Sequence, residues 1–200
     1  GADLEVGLRD TFPATEVPRA TVLAAAPVAA VESAPVGEQV AYLLAHSENQ
    51  VAEALAAAGV AYAYVPGITA AQGAAASTGV PLTHRHMVQG FTVVSGHVAP
   101  GDTRSELDWA QIAKTGTTLV ILMGVAHIDD IAARLMDGGL TGNTPVAVIA
   151  DASLPTQRCL TTTLEKAAEA MAEAEIKPPA ITVVGDVAGL NLWDPGSRAV

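Results

Sequence analysis

Three histidines in the middle of the chain could bind a metal ion. They form a His-x-His pair followed by a third histidine, at His84, His86 and His97. Imidazole nitrogens are common ligands of zinc and iron. However, no carboxylate or cysteine has recognisable ligand spacing relative to them, and histidines that are solvated or hydrogen-bonded are the commoner explanation of such a match. The sequence therefore predicts no metal site.

A strand that turns abruptly into a helix is the second candidate for chemistry. Tyr64-Val65 ends a predicted strand, Pro66-Gly67 makes a turn, and Thr69 begins a helix with the Thr-x-x-Gln pattern of a capping box. Such a turn points backbone N–H groups at the end of a sheet, where open α/β sheets usually bind ligands. The small residues at 73–76 have two interpretations: they leave room for a ligand beside the helix, or they let the helix pack closely on the sheet with no ligand. Composition alone favours close packing.

The composition restricts the class of protein. Half of the 200 residues are hydrophobic and 16% are charged, which excludes a globally disordered chain. The net charge of −11 argues against nucleic-acid binding, which needs a basic surface to neutralise phosphates. No apolar run reaches the roughly 20 residues of a membrane-spanning helix, and the chain does not open with a signal-peptide pattern. Because its one cysteine, Cys159, cannot form an internal disulfide, we expect a soluble cytoplasmic protein.

The second half of the chain alternates strand-length apolar runs with stretches of helical spacing. Strands are predicted at Phe91–Ser95, Thr118–Met123, Val146–Ala150 and Ala180–Val184, and helices at Asp108–Lys114, Ile128–Met136 and Leu164–Ala174. This alternation is typical of β-α-β units, so we expect an α/β fold with a mostly parallel sheet. Residues that begin or end helices agree with this pattern. They are a capping box at Thr162–Glu165, a helix end at Gly138-Gly139 and a helix break at Pro178-Pro179.

The first half has a weaker pattern. Val51–Gly59 predicts a helix that ends at a glycine, and Ala61–Val65 predicts a short strand. Val40–Ala45 fits either a buried strand or part of a longer helix, because periodicity does not separate the two for a short apolar run. Neither the glycine fingerprint of dinucleotide-binding proteins nor a P-loop is present in the sequence.

Several motifs occur in an order that resembles a known family. They are VAEALAAAGV, VPGITAA, GVPLTHR and FTVVSGH between residues 51 and 97, then LDWAQIAKTGTTLVILMG, TPVAVIADASLPTQR, TTTL at 161–164 and ITVVGDVAGL. Together they resemble the uroporphyrinogen-III C-methyltransferases, which are tetrapyrrole methylases, over roughly residues 51–193. Each motif alone is weak, whereas their common order is specific.

The resemblance implies a fold and an activity. Such enzymes are homodimers of two α/β domains with a ligand cleft between them, and the corresponding domains here are 1–83, which looks incomplete, and 84–200. They transfer two methyl groups from S-adenosylmethionine to uroporphyrinogen III. The products are S-adenosylhomocysteine and precorrin-2, which leads to sirohaem or cobalamin.

The resemblance also assigns donor-binding positions, residue by residue. They are Thr69 and Ala70 in the PGITA turn, Met123 in the LMG motif, and Ala152, where the family has a glycine. Without the resemblance, Met123 would be read as filling the core at the end of a buried strand. Gln157 and Arg158 of the PTQR motif are expected to brace the loop beside the donor.

The THR motif supplies the candidates for binding the substrate. Uroporphyrinogen is a polycarboxylate, so an acidic protein must concentrate positive groups locally to hold it. His84 and Arg85 are those candidates, since arginine recognises carboxylates in a bidentate manner. A buried arginine that ties two domains together is the alternative.

Two glycine-rich loops of the family are missing. Neither the GxGPGD loop nor the GGDP loop is present, and VAYLLAHSENQ precedes Val51–Gly59 where the GGDP loop would stand. The catalytic aspartate and lysine of the family therefore match no position here. Either loops are missing from this sequence with the flanking pieces joined, or the protein is a shortened relative. The alternative functions are a non-catalytic relative with a binding or regulatory role and a methylase that acts on a later precorrin.

Overall fold

The structure of this chain is a computed structural model, and it describes Ala57, residues 67–190 and Leu192. The chain divides into two compact units, Gly1–Gly67 and Ile68–Val200. The account below concerns the second unit. The predicted domain boundary between residues 83 and 84 stays a prediction.

Three predictions for the first half lie outside the described residues. They are the helix at Val51–Gly59, the strand at Ala61–Val65 and the strand or helix at Val40–Ala45, of which only the helical Ala57 is described.

The second unit alternates helices and strands as its sequence predicts. The helices are α1 Ala70–Ser77, α2 Trp109–Ile112, α3 Ile128–Asp137 and α4 Ala167–Glu173, and short 3₁₀ turns lie at Val125–His127, Leu164–Lys166 and Asp186–Gly189. The strands are β1 Phe91–Ser95, β2 Thr118–Leu122, β3 Pro145–Ala150, β4 Arg158–Thr163 and β5 Ala180–Val184. The four predicted strands and three predicted helices are confirmed, whereas β4 was not predicted. No helix in the part of the chain that the structure describes is long and apolar enough to cross a membrane.

The five strands form one mixed sheet in the order β1-β2-β5-β3-β4. Only β1 and β2 pair in parallel. The pairs β2–β5, β5–β3 and β3–β4 are antiparallel. The expectation of a mostly parallel sheet is therefore wrong.

The reason for the mixed sheet lies in the connection after β3. A parallel connection needs a crossover of a dozen or more residues, usually with a helix. Residues 151–157 form only turns, so β4 returns antiparallel to β3. The helix α4 then carries the chain over β3, and β5 enters between β2 and β3, antiparallel to both. Strands β1, β2 and β3 consequently point the same way, although only two of them are neighbours.

Both faces of the sheet are covered. On one face, the alternate residues Leu119, Ile121, Val146, Val148 and Val184 pack against α2, α3 and α4, through side chains that include Trp109, Ile131, Leu135 and Met171. On the other face, Val120, Ala147, Ile149 and Val183 pack against Ala71, Ala74 and Ala75 of α1. Because neither face is open to water in the middle of the sheet, β2 and β3 read as continuous apolar runs rather than alternating ones.

The helix ends are only partly as predicted. At Gly138 the chain leaves α3 as expected, and Gly139 takes a left-handed φ of 115°. A Cβ at Gly138 would also lie 2.7 Å from the carbonyl oxygen of Ala110, so this glycine lets α2 approach α3 closely. The capping box at Thr162–Glu165 is wrong. Thr162, its expected cap residue, lies in β4 and is paired with Val146, and the observed N-cap residue, Thr163, makes no side-chain capping bond. The threonine-rich run RCLTTT is paired as a strand instead.

Candidate functional site

The carboxyl ends of three strands meet at one edge of the sheet. Leu122 of β2 and Ile149 of β3 both pair with Ile181, and Ser95 of β1 pairs with Leu122. The residues that follow these strands therefore lie along this edge, termed the carboxyl edge below. Open α/β sheets bind ligands outside the carboxyl ends of their strands. The candidate donor residues Met123 and Ala152 follow β2 and β3 there.

Two glycines hold the ends of β1 and β2 against each other. The Gly96 N–H donates a hydrogen bond to the Leu122 carbonyl at 2.7 Å. A Cβ on Gly96 would lie 2.7 Å from the Cα of Gly124, and a Cβ on Gly124 would lie 2.7 Å from Cγ2 of Ile121. Real Cβ atoms essentially never make contacts this short, so a side chain at either position would force its neighbours to shift. The two glycines thus fix the backbone on either side of Met123.

The carboxyl edge contains three non-glycine residues in the left-handed region. Met123 has φ 56°, Asp151 has φ 51° and Ser153 has φ 69°. Each costs of the order of 1–2 kcal/mol, and such residues concentrate at ligand sites. The Met123 side chain is 55% exposed. Without a ligand site, Met123 would be expected to fill the core. Its exposure does not fit that expectation.

The other two donor candidates lie at the start of α1. Thr69 is the N-cap residue, and its hydroxyl accepts a hydrogen bond from the Ala71 N–H at 3.4 Å. The start of a helix at Thr69 is therefore confirmed. Ala71 is fully buried in the cluster under α1, and Leu122 and Ala152 pack against the same cluster. One packed cluster thus includes Ala152, together with Ala71 next to Ala70 and Leu122 next to Met123.

The β3–β4 loop, residues 151–157, is held by its own polar groups. The Leu154 N–H donates to the Asp151 carbonyl at 3.0 Å, and the Thr156 hydroxyl donates to Oδ2 of Asp151 at 3.0 Å. Gln157 accepts from the Ser153 N–H at 2.6 Å and donates to the Ser77 carbonyl at 3.1 Å. The loop therefore has a defined shape although residues 153–156 are exposed.

Gln157 and Arg158 do different things. Gln157 braces the loop, as the PTQR motif suggests. Arg158 instead donates from Nη1 to the carbonyl of Ala174 at 2.9 Å and from Nη2 to that of Glu175 at 3.2 Å. Its guanidinium thereby satisfies carbonyls just past the end of α4, a usual role for a basic side chain at a helix C-terminus.

The THR motif forms an exposed tight turn. The His84 N–H donates to the Val88 carbonyl at 3.0 Å, and the Val88 N–H donates back to His84 at 3.0 Å. The side chains of His84, Arg85 and His86 are exposed at this turn. An exposed Arg85 is open to a carboxylate ligand within this unit and is not a buried structural arginine there.

The histidines do not form a metal centre in the described unit. Among residues 67–190, no three His, Cys, Asp or Glu side chains are placed to hold a metal ion. His97 follows Gly96 at the carboxyl edge and is exposed. The His-x-His pair lies in the THR turn instead.

Two sites among the described residues, Cys159 and the Asp102–Arg104 pair, have pKa values shifted by clear local causes. Burial raises the pKa of the half-buried Cys159 thiol, which keeps it protonated and argues against a nucleophilic role. The Arg104 guanidinium holds the pKa of Asp102 well below its usual range, through hydrogen bonds of 3.0 Å from Nε and 2.7 Å from Nη2. This pair is exposed on the segment after β1, so its contribution to stability is small.

The sequence names Met123 and Ala152 as donor candidates, which stays a prediction, but it does not reveal the features that shape their surroundings. The close approach of Gly96 and Gly124 has a sequence signal, since each glycine directly follows a predicted strand. The left-handed Asp151 and Ser153 have no such signal, because neither residue type requires that conformation.

Comparison with known proteins places this geometry in context. A family model described as Tetrapyrrole (Corrin/Porphyrin) Methylases matches residues 24–168. The chain is 44% identical to a uroporphyrinogen-III C-methyltransferase of Paracoccus denitrificans, over 69% of this chain and 48% of that protein. It is also 44% identical to an S-adenosyl-L-methionine-dependent uroporphyrinogen III methyltransferase of Methanosarcina barkeri, over 72% of this chain and 56% of that protein. The chain thus spans about half the length of these curated relatives.

Solved structures give the same picture. A Thermus thermophilus uroporphyrin-III C-methyltransferase has a TM-score of 0.60 at 32% identity, over 72% of this chain and 60% of its own. The same type of enzyme in complex with S-adenosylhomocysteine has a TM-score of 0.63 at 29% identity, over 80% and 67% of the two chains. A cobalt precorrin-4 methyltransferase shares the fold, with a TM-score of 0.64 at 24% identity over 71% and 59%.

Proposed function

Since this chain belongs to the tetrapyrrole (corrin/porphyrin) methylase family, we propose that it methylates carbon atoms of uroporphyrinogen III with S-adenosylmethionine. The products are precorrin-2, on the route to sirohaem or cobalamin, and S-adenosylhomocysteine. The relatives that carry this activity in their names support the reaction. One structural observation carries it for this chain: an exposed, left-handed Met123 at the carboxyl edge of the sheet.

The residues at the carboxyl edge fit the methyl donor. Met123 presents an apolar thioether to solvent, which suits contact with the apolar parts of a nucleoside. Ala152, in place of the glycine of the family, leaves room beside the β3–β4 loop because its side chain is a single methyl group. Thr69 and Ala70, at the start of α1, complete the set that would hold the donor.

This chain acts on the reaction mainly by positioning. The bound donor supplies an already activated methyl group, because its sulfonium is a good leaving group. The residues around it must hold an electron-rich pyrrole carbon in line with that methyl, which converts a bimolecular step into an effectively unimolecular one. The Gly96–Gly124 contact serves this purpose, since it fixes the backbone that carries Met123. A general base must then remove the ring proton, and no residue of this chain is assigned to that role.

The THR turn would bind the carboxylates of the substrate. The protein as a whole is acidic, with a net charge of −11, so a polycarboxylate needs local positive charge. Arg85 is exposed at the turn and offers a planar fork of donors. His84 is exposed beside it in the same turn and offers a ring N–H donor.

A homodimer in the cytoplasm completes the proposal. Among the described strands, β1 lies at the edge of the sheet, and its Phe91 and Val93 are 36% and 42% exposed on the face that α1 covers elsewhere. Apolar side chains on an open edge strand favour a covering partner. The single cysteine, Cys159, which cannot form an internal disulfide, supports the cytoplasmic location.

Calorimetry with S-adenosylhomocysteine tests this function. We expect saturable binding of the full chain, followed by formation of a dimethylated tetrapyrrole from uroporphyrinogen III and the donor, detected by mass and absorbance. Size-exclusion chromatography with light scattering tests the dimer. Absence of detectable S-adenosylhomocysteine binding by a folded protein would remove the enzyme assignment.

A non-catalytic relative with a binding or regulatory role is the second candidate. The sequence VAYLLAHSENQ, which stands where the family has its GGDP loop, favours it. Binding of S-adenosylhomocysteine or uroporphyrinogen III without turnover would identify this case. Methylation of a precorrin but not of uroporphyrinogen III would instead identify a later methylase.

A further inference from the structure

We propose that Gln157 is a positioning residue that holds the β3–β4 loop against helix α1 and thereby aligns the two parts of the donor site. One part is the loop itself, with Ala152. The other is the start of α1, with Thr69 and Ala70. This inference rests on the proposed function, because it concerns the same donor.

The Gln157 side chain joins two segments that are far apart in sequence. Its Oε1 accepts a hydrogen bond of 2.6 Å from the Ser153 N–H, within the loop. Its Nε2 donates a hydrogen bond of 3.1 Å to the Ser77 carbonyl, at the last residue of α1. Among the described residues, no other hydrogen bond joins the loop to α1.

The loop needs such a tie because its conformation is costly. Asp151 and Ser153 are both left-handed, a conformation that is strained for residues with a Cβ. Residues 153–156 are exposed, so packing does not hold them in place. The bond between Gln157 and the Ser153 N–H fixes one of the two left-handed residues directly.

Helix α1 connects the Gln157–Ser77 hydrogen bond at its C-terminal end to the donor-site residues at its N-terminal end. The Ser77 carbonyl lies in the last turn of α1, where helical carbonyls lack a partner within the helix. The eight residues of α1 span about 12 Å at 1.5 Å per residue, and Ala71, Ala74 and Ala75 fix the helix on the sheet. A loop held at Ser77 is therefore held relative to Thr69 at the opposite end.

Glutamine is the side chain of this length that can make both bonds. A primary amide donates and accepts, whereas an ionised glutamate only accepts and a methionine does neither effectively. Gln157→Glu therefore keeps the bond from the Ser153 N–H and loses the tie to α1. Gln157→Met loses both at similar length. Gln111→Glu, on the exposed side of α2, makes the same chemical change away from the site and is the matched control.

The test compares these variants of the full chain by calorimetry with S-adenosylhomocysteine, thermal unfolding and amide hydrogen exchange. We expect Gln157→Glu to weaken binding about three- to tenfold, as the loss of one hydrogen bond implies. Gln157→Met, which loses both bonds, should weaken binding at least as much. Gln111→Glu should bind as the parent does. The Ser153 amide should exchange faster in Gln157→Met and keep its protection in Gln157→Glu.

Steady-state kinetics separates positioning from general stability. The KM for S-adenosylmethionine should rise in Gln157→Glu while the KM for uroporphyrinogen III stays unchanged. Unchanged S-adenosylhomocysteine affinity in Gln157→Glu, with only a lower melting temperature, would overturn the inference. Failure of the parent protein to bind S-adenosylhomocysteine would instead refute the proposed function, so the two failures are distinguishable.

Discussion

Replacing Met123 with alanine separates a ligand-contacting methionine from one that fills the core. The side chain is 55% exposed at the end of β2. Complete burial of a methionine contributes about 1.5–3 kcal/mol, so truncating the buried part, slightly less than half, removes about 1 kcal/mol of stability. In a chain of this size, that loss lowers the melting temperature by about 2–4 °C.

Met123→Ala is expected to cost at least as much free energy in donor binding as in folding stability. If the donor covers the exposed part of Met123, truncation removes about 1–1.5 kcal/mol of binding free energy. That change raises the Kd for S-adenosylhomocysteine about five- to tenfold, since 1.4 kcal/mol corresponds to tenfold. Calorimetry at a temperature well below the unfolding transition measures it directly.

Glycine at the same position separates the side chain from the backbone. Met123 has a φ of 56°, which costs a residue with a Cβ about 1–2 kcal/mol and costs glycine little. Met123→Gly should therefore unfold at a temperature no lower than Met123→Ala, while it binds S-adenosylhomocysteine as weakly. Weak binding by both variants would assign the effect to the missing thioether.

The control is Met87→Ala, which truncates a 40% exposed methionine in the THR turn. It should lower stability to a similar degree and leave donor affinity unchanged. The reasoning would be refuted if Met123→Ala lost several kcal/mol of stability while its affinity for S-adenosylhomocysteine stayed the same, because Met123 would then belong to the core.

Further predictions concern packing and the cysteine. Gly96→Ala should destabilise the chain by about 1–3 kcal/mol or more and weaken donor binding, because the new Cβ would lie 2.7 Å from the Cα of Gly124. The control is Gly90→Ala, whose Cβ would lie 3.6 Å from its nearest atom and which should change denaturant unfolding little. Equal losses of stability in the two variants would contradict the role of the Gly96–Gly124 contact. Ile131→Ala, at a fully buried position of α3, should cost about 2–5 kcal/mol by the same measurement, and a loss under about 1 kcal/mol would mean that the site collapses. Cys159 has its pKa raised by burial, so at pH 8 a chromogenic thiol reagent should modify it more slowly in the folded chain than in denaturant. Equal labelling rates in the folded and denatured chains would show that the thiol is accessible. The neutral thiol also stabilises the folded state below the pKa of the unfolded thiol, near about 8.5. This stabilisation should be lost as the pH rises through the higher pKa of the folded thiol.

The sequence by itself determined the family and, except for β4, the positions of the strands and helices that were predicted in the second unit. The strands Phe91–Ser95 and Ala180–Val184 have the predicted bounds, because each is a short run rich in apolar and β-branched residues that is bounded by glycine or proline. The start of α1 at Thr69 and the end of α3 at Gly138 follow from local capping chemistry, which depends on a few adjacent residues.

Only the tertiary structure decided how these elements are arranged. Whether β5 pairs with β2 and β3 depends on contacts between residues far apart in the chain, so local patterns do not contain it. The half-exposed β4 was missed for the same reason: its threonine-rich run becomes a strand by pairing with β3. The left-handed Asp151 and Ser153, and the bond from Gln157 to Ser77, likewise exist because the fold brings the β3–β4 loop to α1 and offsets the local strain with distant partners.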